Sequence, residues 1–421
     1  MAQTISIIVF LVVIATIVSE KIHRAAVAVA GAVALMLFHI LDVESAVAYI
    51  DFNTIGVLIG MMLFVSVIKC SGLFEYISIK TAKIAHGDPW KIMMMFIIVT
   101  AVLSAFLDNV TTVLLIGPMT ISIAGILNLN PIPFLLTQIL ASNIGGTATL
   151  IGDPPNIMIG SAANLSFMDF ILNTGPIVVI IMIVFVLMAK LLYGKNMEVT
   201  QQAIDKVMLL DENKAIEDIN LLKKSVVMIF LVIAGFMLHS IIHIESCVIA
   251  LTAGSIMLII GKQDVEDIIQ EVEWTTIVFF TALFVVVGGM VETGVINQLA
   301  NIIINLTADK PIVTMLVLLW ASALLSCILD NIPFVATLIP LIIAMGQSGI
   351  DVVPLWWAIS LGACLGGNGT LIGASANVVL AGISSKHGYP ITFRSFLKVG
   401  FPTMIISIVI STVYLLVRFG F

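Results

Sequence analysis

The sequence contains very little charge. Only 10% of its 421 residues are charged, while 60% are hydrophobic; soluble globular proteins carry about 25% charged residues. A soluble fold cannot hide so much apolar surface, because surface-to-volume scaling leaves much of it outside. The shortage of charge therefore excludes a soluble enzyme or a soluble binding domain.

Other absences narrow the class further. The chain has four scattered cysteines and no CxxC pair, so neither a disulfide framework nor a zinc site is indicated. No Lys/Arg-rich arm suggests a nucleic-acid partner. No Ser-His-Asp set, P-loop or metal-ligand cluster is present, so we expect no enzyme, no cofactor and no ATP drive by this chain itself. A separate ATPase subunit stays open.

What the chain does contain is a series of apolar runs of roughly 16 to 22 residues, the length that crosses a hydrocarbon core. They are apolar all round and lack the alternation of a membrane barrel. We therefore predict an all-α polytopic membrane protein whose partner is the lipid bilayer. The predicted spans are 4–19, 25–41, 53–69, 134–165, 169–190, 225–243, 246–261, 275–292, 353–383 and 396–417.

Two further apolar stretches, 91–126 and 311–347, carry Asp-Asn in the middle. We interpret each as a re-entrant hairpin that enters and leaves the membrane on the same side. Two amphipathic segments, 73–86 and 295–308, are predicted to lie at the interface.

The basic residues predict the orientation. With the N-terminus outside, 16 of the 18 Lys and Arg residues fall in cytoplasmic segments, as the positive-inside rule requires. We therefore predict a multi-pass protein of the cell membrane with both termini outside. The polar stretch 193–223 is predicted to be a cytoplasmic linker.

The chain resembles itself at an offset of 222 residues. Asp108-Asn109 falls on Asp330-Asn331, and at an offset of 221 Thr149-Leu150-Ile151-Gly152 falls on Thr370-Leu371-Ile372-Gly373. Each predicted half, 1–192 and 224–421, crosses five times, so the second half starts on the opposite side from the first. This is an inverted-topology repeat, common in secondary transporters, with the substrate site near the midplane.

The carboxylates at the hairpin tips are the first candidate site. A charged residue inside the membrane costs roughly 2.5–3.5 kcal/mol on insertion scales and is usually functional. Asp108 and Asp330 suit proton coupling, and Na⁺ is the alternative ion at these two positions. Asp and Asn are also good helix caps, and both roles can coexist.

The second candidate is a Gly-rich break in 134–165 and in 353–383. Glycine and Pro154-Pro155 interrupt the helix, so free carbonyls would bind cations and helix N-termini would attract anions. Small-residue packing explains the glycines alone. Asp153 has no equivalent in the second copy. The predicted binding residues are Asp108, Asn109, Thr112, Asn143, Thr147, Thr149, Asp153, Asn156, Asp330, Asn331, Asn368, Thr370, Ser375 and Asn377.

These motifs resemble a known family over nearly the whole chain. Residues 104–112 and 143–156 are similar to the ion transporter superfamily of arsenite permeases, sodium/proton antiporters and divalent anion/sodium symporters. Residues 329–337 and 362–377 resemble its P-protein type. The resemblance implies an inverted-repeat fold with two hairpins and two broken helices, and a homodimer with elevator-type movement.

We therefore expect a secondary transporter that moves a small inorganic ion or metalloid of the arsenite/antimonite type, coupled to H⁺ or membrane potential. A Na⁺/H⁺ antiporter is the alternative. A sodium-coupled carboxylate or divalent anion symporter is less favoured, because the tips carry Asp108-Asn109-Val110 and Asp330-Asn331-Ile332 where symporters have Ser-Asn-Thr. A passive channel is the remaining option.

Overall fold

The computed structural model describes residues 1–19, 21–194, 197–307 and 310–420, and every regular element within these ranges is a helix. Eight of the described helices are long and apolar enough to cross a membrane. The predicted all-α fold is confirmed.

The first half contains eleven α-helices before the linker. They are α1 Ala2–Val18, α2 Arg24–Leu37, α3 Val43–Ala48, α4 Phe52–Lys69, α5 Leu73–Ile84, α6 Pro89–Phe106, α7 Asn109–Ile126, α8 Ile132–Gly146, α9 Pro154–Ala163, α10 Phe167–Asn173 and α11 Gly175–Tyr193. The predicted linker contains α12 (Gln201–Met208) and a 3₁₀ turn (Glu212–Ala215). Its residues 195 and 196 lie outside the described ranges.

The second half repeats this order. Its helices are α13 Ile219–Leu238, α14 Ser246–Gly261, α15 Val265–Gln270, α16 Trp274–Glu292, α17 Val295–Leu306, α18 Pro311–Ile328, α19 Asn331–Gln347, α20 Val353–Gly366, α21 Ser375–Lys386 and α22 Phe393–Phe419. At the offset of about 222 residues, α1–α9 correspond to α13–α21, and α22 takes the place of α10 and α11. Residue 308, the end of the predicted interfacial segment, is outside the described ranges.

One predicted span differs from the structure. The segment 169–190 is two helices, α10 and α11, because the chain breaks at Thr174 and restarts at Gly175-Pro176. Proline has no backbone N–H to continue the hydrogen-bonding pattern of a preceding helix, so it is favoured in the first turn of the next one.

The structure contains both predicted hairpins, each a pair of helices joined by a short turn, and both predicted breaks, each a gap between two helices. The arms α6 and α7 meet at Leu107-Asp108, and α18 and α19 meet at Leu329-Asp330. The chain leaves the helix between α8 and α9 and again between α20 and α21. Close packing holds each break against its hairpin. A Cβ at Gly145 would lie 2.2 Å from the Ala101 carbonyl oxygen.

The two halves interlock. Helix α4 packs against α14, and α2 against α16. In the interior, α9 packs against α19, and α21 against α7. The second arm of each broken helix therefore lies on the hairpin of the other half, which brings both tips and both breaks into one region.

Candidate functional site

Each hairpin tip ends in an aspartate that caps its second arm. Asp108 accepts a hydrogen bond from the Thr111 backbone N–H at 2.9 Å and another from the Thr111 hydroxyl. Asp330 accepts one from the Ile332 backbone N–H at 3.4 Å. Capping fixes the position of both carboxylates at the point where four helix ends converge.

The tips and both breaks line a small cavity. Its polar lining includes five of the predicted residues: Asp108, Asn109, Asp153, Asn331 and Ser375. The cavity measures about 20 Å³, which is room for about one water molecule. Among the described residues, no group of three or more His, Cys, Asp and Glu side chains is arranged to hold a metal ion.

Asp153 joins the two halves. It is 1% exposed and stands at the N-cap of α9. The Asn331 amide, at the start of α19, donates to both of its carboxylate oxygens at 3.3 and 3.4 Å. Its counterpart in the second half is Ala374, so the second break contributes no carboxylate at this position.

Arg24 also lines the cavity, a role that the sequence did not reveal. Its guanidinium Nη1 lies 2.6 Å from Asp330 Oδ2 and 2.7 Å from Ser375 Oγ. The positive-inside count placed Arg24 at the edge of a span, and in the structure α2 begins at this residue and its side chain reaches the second tip.

Glu273 and Thr276 complete the polar lining. Thr276 Oγ1 donates to Glu273 Oε2 at 3.0 Å and accepts from Arg24 Nη2 at 3.4 Å. A signal for these residues existed: Glu273 and Asp51 are acidic residues at equivalent positions, each three residues before a matched threonine, Thr276 or Thr54.

Behind the cavity lies a layer of asparagines. Asn143 Nδ2 contacts both Asn368 Oδ1 and Asn377 Oδ1 at 2.9 Å, and Asn143 Oδ1 accepts from Asn109 at 3.2 Å. Asn143 and Asn109 belong to the first half, and the other two to the second. These four predicted residues therefore cross-link the halves beneath the site.

Five backbone carbonyls at the breaks accept hydrogen bonds from asparagine side chains. Asn156 Nδ2 donates to the carbonyl oxygens of Gly146, Thr147 and Thr149 at 3.5, 3.3 and 2.9 Å. Asn377 Nδ2 donates to the carbonyl oxygens of Gly367 and Thr370 at 2.8 and 2.9 Å. Each of these carbonyls therefore has a partner within its own break, and their binding of cations stays a prediction.

The predicted threonines have structural contacts. The Thr149 hydroxyl donates to the Ala105 carbonyl, and Thr370 donates to the Cys327 carbonyl at 2.5 Å, so each pins its break to a hairpin arm. Thr147 donates to Asn143 O at 2.7 Å within its own helix. Thr112 is buried, and its hydroxyl has no hydrogen-bond partner in the part of the chain that the structure describes.

Larger cavities adjoin the site on two sides. One of about 240 Å³ shares Met62 and Glu273 with it and reaches Lys69 and Glu271, which form an ion pair of 2.8 Å. Another of about 280 Å³ borders the Arg24–Asp330–Ser375 group. Both cavities border a buried, carboxylate-rich centre between the two repeats.

Fold and site together define a polytopic membrane transporter with an internal repeat. The sequence model of CitMHS, described as citrate transporter, matches residues 14–362. The chain belongs to this family, which confirms the resemblance to the ion transporter superfamily.

Several relatives are named transporters or membrane proteins. A protein of Mycobacterium tuberculosis named an uncharacterized transporter is 40% identical over 99% of each chain. The P protein of Mus musculus is 35% identical over 95% of this chain. The present chain spans 58% of that P protein's length.

Solved structures share the fold. The YdaH transporter of Alcanivorax borkumensis, described as having an unusual topology, aligns with a TM-score of 0.62 at 15% identity, covering 92% of this chain and 89% of its own. MtrF of Neisseria gonorrhoeae, assigned to a class of antimetabolite efflux pumps, aligns with a TM-score of 0.58 at 12% identity, covering 98% and 94%.

Proposed function

We propose that the protein is a secondary active transporter that moves a small inorganic ion or metalloid, coupled to H⁺ by alternating access. The supporting observation is the charge of the site. Asp108, Asp153 and Glu273 line one cavity with a single guanidinium, and that guanidinium is already paired with Asp330. Four carboxylates thus face one cation.

This excess of negative charge favours binding of protons or cations at the centre. It opposes a free citrate anion, because like charges repel strongly where water is largely excluded. A neutral solute such as arsenite, or a solute carried with its own cations, meets no such barrier. Asp108 and Asp153 are the proposed carriers of the coupling proton, since neither is paired with a basic side chain in the described residues.

A Na⁺/H⁺ antiporter is the second candidate. It is favoured by the carboxylate oxygens of Asp108 and Asp153 and the side-chain carbonyl oxygens of Asn109 and Asn331 on the cavity, since hard cations prefer oxygen ligands. The proposal places the protein in the cell membrane with both termini outside, as a homodimer working by elevator-type movement.

The test uses purified full-length protein in proteoliposomes containing a pH-sensitive dye. Arsenite, citrate and NaCl are added separately, at matched ionic strength. We expect arsenite to produce H⁺ movement, and Asp108→Asn to abolish it. H⁺ flux driven by Na⁺ alone establishes antiport, flux that needs citrate establishes carboxylate transport, and unsaturable solute flux without H⁺ movement establishes a channel.

Asp264→Asn is the matched control. Asp264 is also an N-cap aspartate, accepting from the Glu266 backbone N–H at 2.8 Å, but it is exposed and far in sequence from either tip. Loss of H⁺ movement in this variant as well contradicts a specific role for Asp108.

A further inference from the structure

The Arg24 guanidinium is held from three sides at the second hairpin tip. Nη1 contacts Asp330 Oδ2 at 2.6 Å and Ser375 Oγ at 2.7 Å, and Ser375 itself donates to Asp330 Oδ2 at 2.9 Å. Nη2 contacts Thr276, and the guanidinium carbon lies 5.0 Å from the centre of the Phe279 ring. Its place is therefore fixed by contacts from three different helices or helix ends, α16, α19 and α21.

This guanidinium neutralises the second tip permanently. Arginine stays ionised at every physiological pH, and its fork of donors matches a carboxylate. Asp330 therefore has a counter-charge that never leaves with the solute. The other charged groups near Arg24 are Glu273, reached through Thr276, and the carboxylates of Asp108 and Asp153 on the same cavity.

The first tip has no arginine at the equivalent position. At the repeat offset of 222, the residue equivalent to Arg24 is Ser246, which has no charge. Asp108 accepts its hydrogen bonds from Thr111, a neutral residue. Asp153, the additional carboxylate on the cavity, also has no basic partner among the described residues, and the second half has Ala374 at its position.

We propose that Arg24 is a tethered cation that occupies the counter-ion position at Asp330, and so restricts the mobile coupling cation to the carboxylates that have no basic partner, Asp108 and Asp153. The inference rests on the proposed H⁺-coupled transport. It makes Arg24 a determinant of the number of coupling ions per solute, a role distinct from binding the solute.

The principal test is the neutral double variant Arg24→Gln/Asp330→Asn, which exchanges the ion pair for two amides of similar size. The coupling ratio is measured in proteoliposomes as the membrane potential at which solute flux reverses under an imposed pH gradient. We expect solute flux to slow, because both residues lie at the site, and the ratio of H⁺ to solute to equal that of the unaltered protein. A loss of one H⁺ per solute shows that Asp330 carries the coupling proton and overturns the proposal.

The single variant Arg24→Gln provides the opposite signal. It exposes Asp330 without its counter-charge, so we expect one additional H⁺ per solute, with Arg24→Lys keeping the original ratio. An unchanged ratio in a folded Arg24→Gln protein also contradicts the proposal.

Infrared spectroscopy of the purified protein supplies a readout without transport. We expect Arg24→Gln at neutral pH to show an additional carboxylic acid C=O band that is missing from the double variant. If H⁺-coupled transport is not found but this band appears, the proposed function is wrong, whereas the role of Arg24 as the counter-charge of Asp330 is supported. If coupled transport is found and neither the ratio nor the band changes, the tether fails.

Discussion

The two hairpin tips have the same backbone plan and opposite electrostatic surroundings. Asp108 and Asp330 both cap the second arm of a hairpin, and both arms carry a proline at the same register, Pro118 and Pro340. Around Asp330 the chain supplies Arg24 and Ser375, whereas Asp108 has no basic partner among the described residues. The repeat thus provides a symmetric scaffold, and a few substitutions within it give one tip a counter-charge and leave the other without one.

The largest effect is expected from neutralising the carboxylates without a basic partner, Asp108 and Asp153. Asp108→Asn and Asp153→Asn each remove a carboxylate that has no basic partner among the described residues, so coupled H⁺ flux should fall to the background of empty vesicles. Flux is measured with the internal pH dye at equal protein incorporation. Retention of full coupling in both variants would falsify the assignment of Asp108 and Asp153 as the residues that carry the coupling proton.

Changes to the Arg24–Asp330 pair should lower the stability of the protein. Asp330→Ala leaves Arg24 without its partner, and the side chains are only 27% and 12% exposed for Arg24 and Asp330. Breaking a buried pair costs about 3–5 kcal/mol, which partial exposure reduces to about 2–3 kcal/mol here. Thermal unfolding in detergent measures the loss, and Arg24→Gln/Asp330→Ala should recover most of it.

Packing at the two breaks offers a graded comparison. An added Cβ lies 2.2 Å from the Ala101 oxygen at Gly145 and 2.6 Å from the Ala323 oxygen at Gly366. Backbone atoms cannot yield as a side chain can, so Gly145→Ala should lose roughly 2–3 kcal/mol and Gly366→Ala roughly 1–2 kcal/mol. Unfolding by denaturant tests this order.

Matched controls exist in each half. Gly125 and Gly382 are helical glycines with no atom within 4 Å of an added Cβ. Alanine at these positions should be neutral or should stabilise the helix by about 0.5–1 kcal/mol. Equal destabilisation by all four substitutions contradicts a special closeness at the breaks.

The smallest effect concerns the linker, which contacts α5 of the first half. Lys83 and Lys80 contact Glu212 at 2.5 and 3.0 Å, and together with backbone hydrogen bonding they lower the pKa of Glu212 to about 2. Because this pKa is below the ordinary 4.5, the contact stabilises fully above pH 4.5 and is lost as pH falls toward 2.

Glu212→Gln should therefore lower the unfolding temperature slightly at pH 7, and the difference from the unaltered protein should shrink below pH 4.5. Thermal scans at several pH values measure it. Glu198→Gln, another linker acid, is the control and should show no comparable pH-dependent difference.

The sequence predicted much of the scaffold and part of the site. The Asp-Asn and Thr-Leu-Ile-Gly repeats located the tips and breaks, because polar and glycine residues interrupt apolar helices only where the backbone turns. Arg24 and Glu273 were missed because they lie at the boundary of an apolar run, where a charge also fits a loop. The contacts of Asn156 and Asn377 with the break carbonyls were not predicted, because a side-chain amide that folds back onto its own segment leaves no pattern in the sequence.

The contact between Asp153 and Asn331 has a consequence for biogenesis. The two residues are 178 positions apart, and Asn331 belongs to the second half. During synthesis the ribosome delivers Asp153 to the bilayer long before its partner exists. Until Asn331 is synthesised, the Asp153 carboxylate in the membrane lacks its hydrogen-bond donor. The first half is therefore fully assembled only after the second hairpin has inserted. A truncation before residue 331 should therefore be recognised by quality-control proteases as an unfinished protein.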